Sequence, residues 1–461
     1  MTITKRSKIL NEITNGPIIP QILMLFFPVL LGTLFQQLYN TTDAAIVGRF
    51  VGKNALAAVG GTTSMVIGLF IGFFVSLSSG FAVIIAQRYG AGDDEAVNEC
   101  VHTSFAFSLI IGILLTIVGT TLAPKILLLM NVPTEILPDT TAYIRIYFIG
   151  IIPNLIYNIG AAILRAIGDT VRPLFFLIFG CICNIILDSI FVILLKYGVR
   201  GAAIATILSQ ALTSLMVLAV LSTSKGSYRL SIGKIHLNML FLKKMVYLGM
   251  PAGFQNNMFN IANITIQSAV NNFGTESMAA WAAYGKIDSI FWMSIQALGI
   301  AVTTFIGQNY GAGKKERIKQ GTVKSIFLAV MITLIIMFCI LSLRNYVFLI
   351  FTNDENVIKI GIGILMTIVP LYLTYFLIEI FSSILRGLGD TLIPMLLTAL
   401  GICVFRVIWV FTAVKHYNTL HTLVMAYPLS WIITSILFII YSLFLSRLKN
   451  FLFIKSNSLT Y

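Results

Sequence analysis

A stripe of polar side chains inside a long apolar stretch near the N-terminus ends in a single carboxylate. Gln36, Tyr39, Asn40 and Asp43 are spaced three and four residues apart, so they share one face if the stretch is helical. A charge in hydrocarbon costs roughly 2.5–3.5 kcal/mol, and ionisable residues there mark ion or proton paths. We expect this face to turn toward a water-accessible interior, where Asp43 can bind a cation or a proton.

A second carboxylate, Asp188, lies in another apolar stretch, four residues after Asn184, so these two side chains also share a helix face. Two carboxylates in one interior resist joint ionisation and titrate together, which suits a site that takes up and releases an ion. The alternative is structural, with each acid only hydrogen-bonding neighbouring helices. We favour the ion site.

Further charges interrupt the apolar stretches of the C-terminal half. Glu379 and Arg406 carry opposite charges in neighbouring stretches, and we predict that they pair, since a lone buried charge is costly. Binding of substrate cations by Glu379 alone is the alternative. Lys286 and Asp288 are two positions apart, so they point to different faces of a helix and do not pair with each other. A structural role, in which each pairs with a residue on another helix, is as consistent with the sequence as a functional one.

Uncharged amide side chains recur at helical spacing in one stretch of the C-terminal half. The stripe begins with Asn256 and Asn260 and continues through Asn263 and Gln267. Interhelical hydrogen bonds, worth about 0.6 kcal/mol each in a membrane, are one explanation. We favour the other, in which the stripe forms a polar wall of a cavity.

The composition shows what must position these residues. The chain of 461 residues is 58% hydrophobic and 10% charged, which leaves too few charges to cover a surface exposed to water. Its apolar blocks exceed the roughly 20 residues that cross a bilayer, so we predict an all-α polytopic membrane protein. Twelve candidate spans fall near 18–47, 56–86, 101–123, 139–164, 173–195, 201–222, 248–272, 279–307, 322–342, 357–385, 393–414 and 420–445.

Two motifs occur twice with one common offset, which indicates a duplicated unit. Gln-x-Tyr-Gly-Ala-Gly stands at 87–92 and 308–313, and Leu-Arg-x-x-Gly-Asp-Thr at 164–170 and 385–391. We predict an N-terminal six-helix lobe at 1–222, a cytoplasmic amphipathic linker at 223–247 and a C-terminal six-helix lobe at 248–461. Six spans per copy give both copies one orientation, so a pseudo-twofold axis along the membrane normal should relate the two bundles.

The distribution of Lys and Arg predicts the orientation. These residues concentrate in the segments that share a side with the N-terminus, which predicts that both termini lie in the cytoplasm. We expect the membrane to be the plasma membrane. The first apolar run is too long for a signal-peptide core. Five cysteines and four histidines show no ligand spacing, so neither a disulfide framework, a structural metal nor a cofactor is predicted.

The sequence resembles the multidrug and toxic compound extrusion (MATE) family over nearly its whole length. The resemblance rests on both repeated motifs and on three local stretches: Tyr39-Asn-Thr-Thr-Asp43, Val47-Gly48-Arg49 and Asn184-Ile-Ile-Leu-Asp188. It implies two six-helix bundles around a central cavity, which export organic cations in exchange for H⁺ or Na⁺. It also implies an ion site at Asp43, Asn184 and Asp188, with the accessory polar groups Tyr39, Asn158 and Thr206.

The chain departs from one branch of that family. The branch carries an acid in the seventh span, where this sequence has Asn260 and no carboxylate. The resemblance is therefore better to the branch resembling DNA-damage-inducible protein F and its Gram-positive relatives. An ion site in the C-terminal lobe is correspondingly in doubt.

The function predicted from the sequence is secondary export of cationic or amphipathic small molecules by alternating access, with H⁺ or Na⁺ as the coupling ion. We expect a monomer in the lipid bilayer that binds no nucleic acid. A flippase for a lipid-linked saccharide or peptidoglycan precursor is the alternative, but acids outnumber bases among the buried charges. A membrane-embedded enzyme is remote, because neither HExxH nor GxSxG occurs and the Gly-Ala-Gly-Lys at 311–314 lacks the Ser or Thr of a phosphate loop.

Overall fold

The computed structural model describes residues 13–60, 62–130 and 132–452, and all regular structure in these ranges is helical. The helices before the linker are α1 (Ile18–Phe50), α2 (Lys53–Gly60), α3 (Thr62–Gly90), α4 (Asp94–Leu129), α5 (Leu137–Ile149), α6 (Ile151–Ala166), α7 (Val171–Asp188) and α8 (Gly198–Thr223). The π-helical turn Ser189–Leu194 follows α7.

The helices after the linker are α9 (Met239–Asn271), α10 (Thr275–Gly311), α11 (Lys315–Ser342), α12 (Glu355–Ile368), α13 (Tyr372–Gly387), α14 (Leu392–Tyr417) and α15 (Leu420–Leu445). Short helical segments lie between or after them at Ile232–Lys234, Arg344–Val347, Phe348–Ile350, Val369–Leu371 and Lys449–Leu452. Both α14 and α15 contain π-helical turns, at Ala399–Val404, Val410–Val414 and Tyr441–Leu445.

These helices confirm the prediction of twelve membrane spans. Ten helical stretches in the described part of the chain are long and apolar enough to cross a bilayer, and α5 with α6 forms an eleventh span bent by 49°. The twelfth is α9, whose 33 residues reach about 50 Å at about 1.5 Å per residue. Its amide side chains lower its hydropathy. The predicted span near 139–164 is therefore a bent pair, because the helix breaks at Gly150.

By its internal contacts the chain divides into two compact units. The N-unit is Phe27–Gly253, and the C-unit joins residues 13–26 to residues 254–452. Within the C-unit, the guanidinium of Arg317 donates to the carbonyl oxygens of Gly16 and Ile13 and to Oε1 of Gln21, at 2.8–3.0 Å. These bonds explain why the N-terminal turn belongs with the second half. The lobe boundaries taken from the repeat, at 222 and 248, remain a prediction.

The repeated motifs are helix ends. After α6, the amide of Asp169 donates to the carbonyl of Leu164 at 2.8 Å, and Gly168 has φ +94°. After α13, the amide of Asp390 bonds Leu385 at 2.9 Å, and Gly389 has φ +84°. A glycine with positive φ closes a helix without steric cost, so the Gly of the motif stops each long span.

The linker lies against the start of α4. The amide nitrogen of Asn98 donates to the carbonyls of Ser227 and Arg229, at 3.1 and 3.0 Å, and Nδ2 of Asn238 donates to Glu99 at 2.9 Å. Between α8 and α9 its regular structure is the single turn Ile232–Lys234, and residues 239–247 are already the first turns of α9. Within the N-unit, α3, α4, α6 and α8 enclose an apolar core.

Candidate functional site

Two carboxylates and an amide meet inside the N-unit. Asp43 lies in the last third of α1 and is 6% exposed, while Asn184 and Asp188, one turn apart on α7, are fully buried. Asp188 is the last residue of α7 before the π-helical turn Ser189–Leu194. Such turns are frequent at functional sites, because they change the direction of the side chains that follow.

The side chains of this cluster face one another. The carboxyl of Asp43 interacts with the carboxyl of Asp188 and with the hydroxyl of Thr206 on α8. Thr206 also lies 2.9 Å from the carbonyl of Ala202, so its one hydroxyl proton goes either to that carbonyl or to Asp43. One turn before Asp43, the phenol of Tyr39 lies 3.4 Å from Oγ of Ser209.

Five polar atoms of the cluster are buried without a hydrogen-bond partner among the described residues. They are Oδ1 of Asp43, both oxygens of Asp188, and Oδ1 and Nδ2 of Asn184. Buried polar atoms are normally hydrogen-bonded, and an unsatisfied one costs about 1–3 kcal/mol. Two ionised carboxylates have no proton to share, so a proton or a cation between them would satisfy both.

The donor set suits a hard monovalent cation or a proton. Carboxylate, amide and hydroxyl oxygens are the ligands that alkali and alkaline-earth cations prefer, whereas soft metals prefer sulfur and imidazole. Within the described residues, no group of three His, Cys, Asp or Glu side chains is placed to hold a metal ion. The arrangement therefore offers carboxylate, amide and hydroxyl oxygens to a proton or a cation.

Two tyrosines that lie near Asp43 were not predicted as site residues from the sequence. Tyr143 and Tyr147 on α5 stack with ring centroids 6.2 Å apart, and both phenols lie within electrostatic range of Asp43. Tyr147 also interacts with the side chain of Gln210. Their spacing of four residues places them on one helix face, and this pattern in the sequence could have identified them as a pair.

Other predicted site residues lie outside the buried cluster. Gln36 and Asn40 are exposed on α1, and the amide of Asn158 donates to the carbonyl and the side chain of Asn154 in its own helix. Asn256 and Asn260 are half-buried on α9, and their role as a cavity wall stays a prediction.

The structure corrects the predicted pair of Glu379 and Arg406. Oε1 of Glu379 lies 3.1 Å from Nη2 of Arg386, on the same helix α13. Arg406 on α14 instead donates from Nε to Oγ of Ser430, at 3.2 Å. Glu379 pairs with Arg386 because both residues lie on α13, where the long arginine side chain reaches back along the helix to the carboxylate.

Known proteins are similar to this chain in sequence and in fold. The family model MatE matches residues 28–190 and 251–412. The probable multidrug resistance protein YoeA of Bacillus subtilis is 27% identical over 97% of this chain and 98% of its own length. The probable multidrug resistance protein NorM of Thermotoga maritima is 26% identical over 86% of each chain.

A solved structure agrees with these relatives. It is described as the outward-facing conformation of a multidrug resistance MATE family transporter of the MOP superfamily. It has a TM-score of 0.88 and 25% identity, over 96% of this chain and 98% of that one. Because the family model covers both halves of the sequence, the chain belongs to the MatE family and is a membrane transporter, which confirms the prediction that it is not an enzyme.

Proposed function

We propose that the protein is a secondary active exporter of cationic or amphipathic small molecules, coupled to the entry of H⁺ or Na⁺. The observation that carries the proposal is the set of five unpartnered polar atoms on Asp43, Asn184 and Asp188. Export of drug-like compounds is supported by the relatives, which are named as probable multidrug resistance proteins.

Competition for one site provides the coupling. A proton neutralises one carboxylate of the pair, whereas Na⁺ or a cationic substrate requires the ionised form, so the two ligands exclude each other. An ion bound on one side of the membrane and released on the other then drives substrate the opposite way. Exchange of one H⁺ for one monovalent cation moves no net charge, so the membrane potential, about 2.3 kcal/mol per charge per 100 mV, adds nothing.

Dye efflux from proteoliposomes tests the coupling. Purified protein is reconstituted with a fluorescent cationic dye, and efflux is followed under a proton gradient alone and then under a sodium gradient alone. We expect one gradient to drive efflux against the dye gradient and the other to be inert. Efflux that neither gradient accelerates would rule out ion-coupled antiport.

We also propose that the protein lies in the plasma membrane with both termini in the cytoplasm; the Lys and Arg distribution supports this orientation. The five native cysteines are replaced, and single cysteines are placed at Lys234, Lys315 and Glu135. The first two should react with a membrane-impermeant thiol reagent only in opened cells, and the third in intact cells. Labelling of Lys315→Cys from outside would reverse the orientation.

A further inference from the structure

Arg406 in the C-unit is a buried cation without a carboxylate beside it. It is 1% exposed, and none of the ion pairs within 4.0 Å in the described residues includes it. Nε donates to Oγ of Ser430, and the guanidinium carbon lies 3.8 Å above the ring of Tyr427 and 6.0 Å from that of Trp431. Aromatic faces stabilise such a charge but do not replace an anion.

Asp288 attracts Arg406 electrostatically, but its carboxylate accepts its hydrogen bonds from other residues. Its carboxylate accepts from the phenol of Tyr284 at 3.1 Å, from the indole nitrogen of Trp292 at 2.7 Å and from the phenol of Tyr372. Three neutral donors therefore hold this carboxylate without help from the guanidinium. Asp288 balances the charge of the region, while the guanidinium remains open to another acceptor.

Two buried donors of this cluster lack an acceptor. Nη2 of Arg406 and Nε1 of the fully buried Trp431 have no hydrogen-bond partner in the described part of the chain. Leaving such a donor unpaired is expensive, more so when it is charged. Two of them beside one aromatic cluster indicate a place built for an acceptor group.

Helix geometry around Arg406 supports a binding role. The residue lies in a short α-helical piece, Phe405–Trp409, between the π-helical turns Ala399–Val404 and Val410–Val414. Such π-helical turns are rare and are frequent at functional sites.

We propose that Arg406 and Trp431 bind the carboxylate of an aromatic small molecule. The planar guanidinium suits a carboxylate, to which it can donate two parallel hydrogen bonds, and the indole N–H adds a third donor. The half-buried Trp281, whose ring centroid lies 5.6 Å from that of Tyr427, supplies a face against which an aromatic ring can stack. The site is distinct from the Asp43 cluster and extends the ligand range to aromatic compounds that carry a carboxylate.

Equilibrium binding without any ion gradient tests this site. Radiolabelled benzoate is titrated onto the purified protein in detergent, with benzamide, acetate and chloride as competitors. We expect saturable benzoate binding that benzamide does not displace and that acetate and chloride displace only at concentrations at least about tenfold higher. Equal displacement by benzamide would overturn the carboxylate assignment, and equal potency of acetate or chloride would overturn the aromatic one.

Two variants test whether Arg406 and Trp431 bind the carboxylate. Arg406→Lys keeps the charge but loses the planar fork, and Trp431→Phe keeps a ring but loses the N–H, so each should weaken benzoate binding about tenfold or more. Arg145→Lys, an exposed arginine of the N-unit, is the matched control and should bind as the unmodified protein does. If Arg406→Lys does not fold, benzoate binding to Trp431→Phe alone tests the proposed site. Unchanged binding in the folded variants would refute the site.

The Asp43→Asn variant separates this proposal from the proposed function. Because it alters only the N-unit cluster, benzoate binding should survive it even when ion-coupled efflux is lost. Loss of benzoate binding in Asp43→Asn would contradict an independent site in the C-unit.

Discussion

Nη2 of Arg386 lies 3.1 Å from Oε1 of Glu379, seven residues earlier on the same helix α13. Both side chains are largely buried, at 21% and 14% exposure, and Oγ of Ser383 lies 3.4 Å from the same carboxylate oxygen. Arg386 is the arginine of the second Leu-Arg-x-x-Gly-Asp-Thr motif, whose glycine ends the helix. In the C-unit the motif therefore combines a helix stop with an ion pair.

Removing one partner of this pair should cost more than removing both. Glu379→Gln leaves Arg386 without its counter-charge, and we expect it to lower the free energy of unfolding by about 1–3 kcal/mol. The double variant with Arg386→Gln should recover part of that loss, which thermal unfolding in detergent measures. Strictly additive effects in the double-mutant cycle would mean that the two charges are not coupled.

A second prediction concerns Gly80, where α3 meets the start of α9. A Cβ atom at this position would lie 2.2 Å from the amide nitrogen of Gly249, and backbone atoms cannot move aside. Gly80→Ala should therefore destabilise the protein by about 1–3 kcal/mol or more. Gly68→Ala on the same helix, where a Cβ meets nothing within 4 Å, is the matched control. Equal melting temperatures for the two variants would disprove the close crossing.

The linker gives a pH-dependent prediction through His236. Nδ1 faces the carbonyl of Lys234 at 2.8 Å and Nε2 faces Glu99 at 3.0 Å, so both ring nitrogens need a proton. The Lys234 carbonyl first, and then Glu99, raise the pKa of His236 above its ordinary value. Stabilisation from a raised pKa is present below the unfolded-state value and disappears as the pH rises through the folded-state value.

Hydrogen exchange of the linker measures this effect. After correction for intrinsic exchange, the amide of Asn238, which donates to Thr103, should be better protected near pH 6 than near pH 9. The neighbouring His102 stacks on His236 and accepts the amide proton of Ser231 through Nε2. His236→Gln should abolish the pH dependence and His421→Gln should leave it intact. Identical pH profiles in the unmodified protein and both variants would exclude a stabilising role for the contact between His236 and Glu99.

Asp43 gives the prediction on transport itself. Asp43→Asn resembles a permanently protonated site, so we expect normal membrane insertion and melting but loss of gradient-driven dye efflux from proteoliposomes. Asp188→Asn should act in the same direction, more mildly. Asp139→Asn makes the same change at an exposed position of α5 and should export normally. Wild-type pumping by Asp43→Asn protein would make Asp43 a structural residue.

The sequence by itself determined the spans and the duplication. Backbone groups in a bilayer must be satisfied within a helix, so most spans are long apolar runs that hydropathy reveals. The predicted runs match ten long apolar helical stretches and one bent pair in the described residues. The cost of a charge in hydrocarbon singles out Asp43 and Asp188 from the sequence alone.

Only the tertiary structure decided which buried groups meet. Whether Glu379 contacts Arg386 or Arg406 depends on side-chain reach and on the rotation of α13 against α14, which hydropathy does not encode. The same holds for Tyr143 and Tyr147, whose nearness to Asp43 depends on how α5 packs against α1. Apolar periodicity establishes that a helix is buried, whereas the partners of its polar atoms follow from the packing of whole helices.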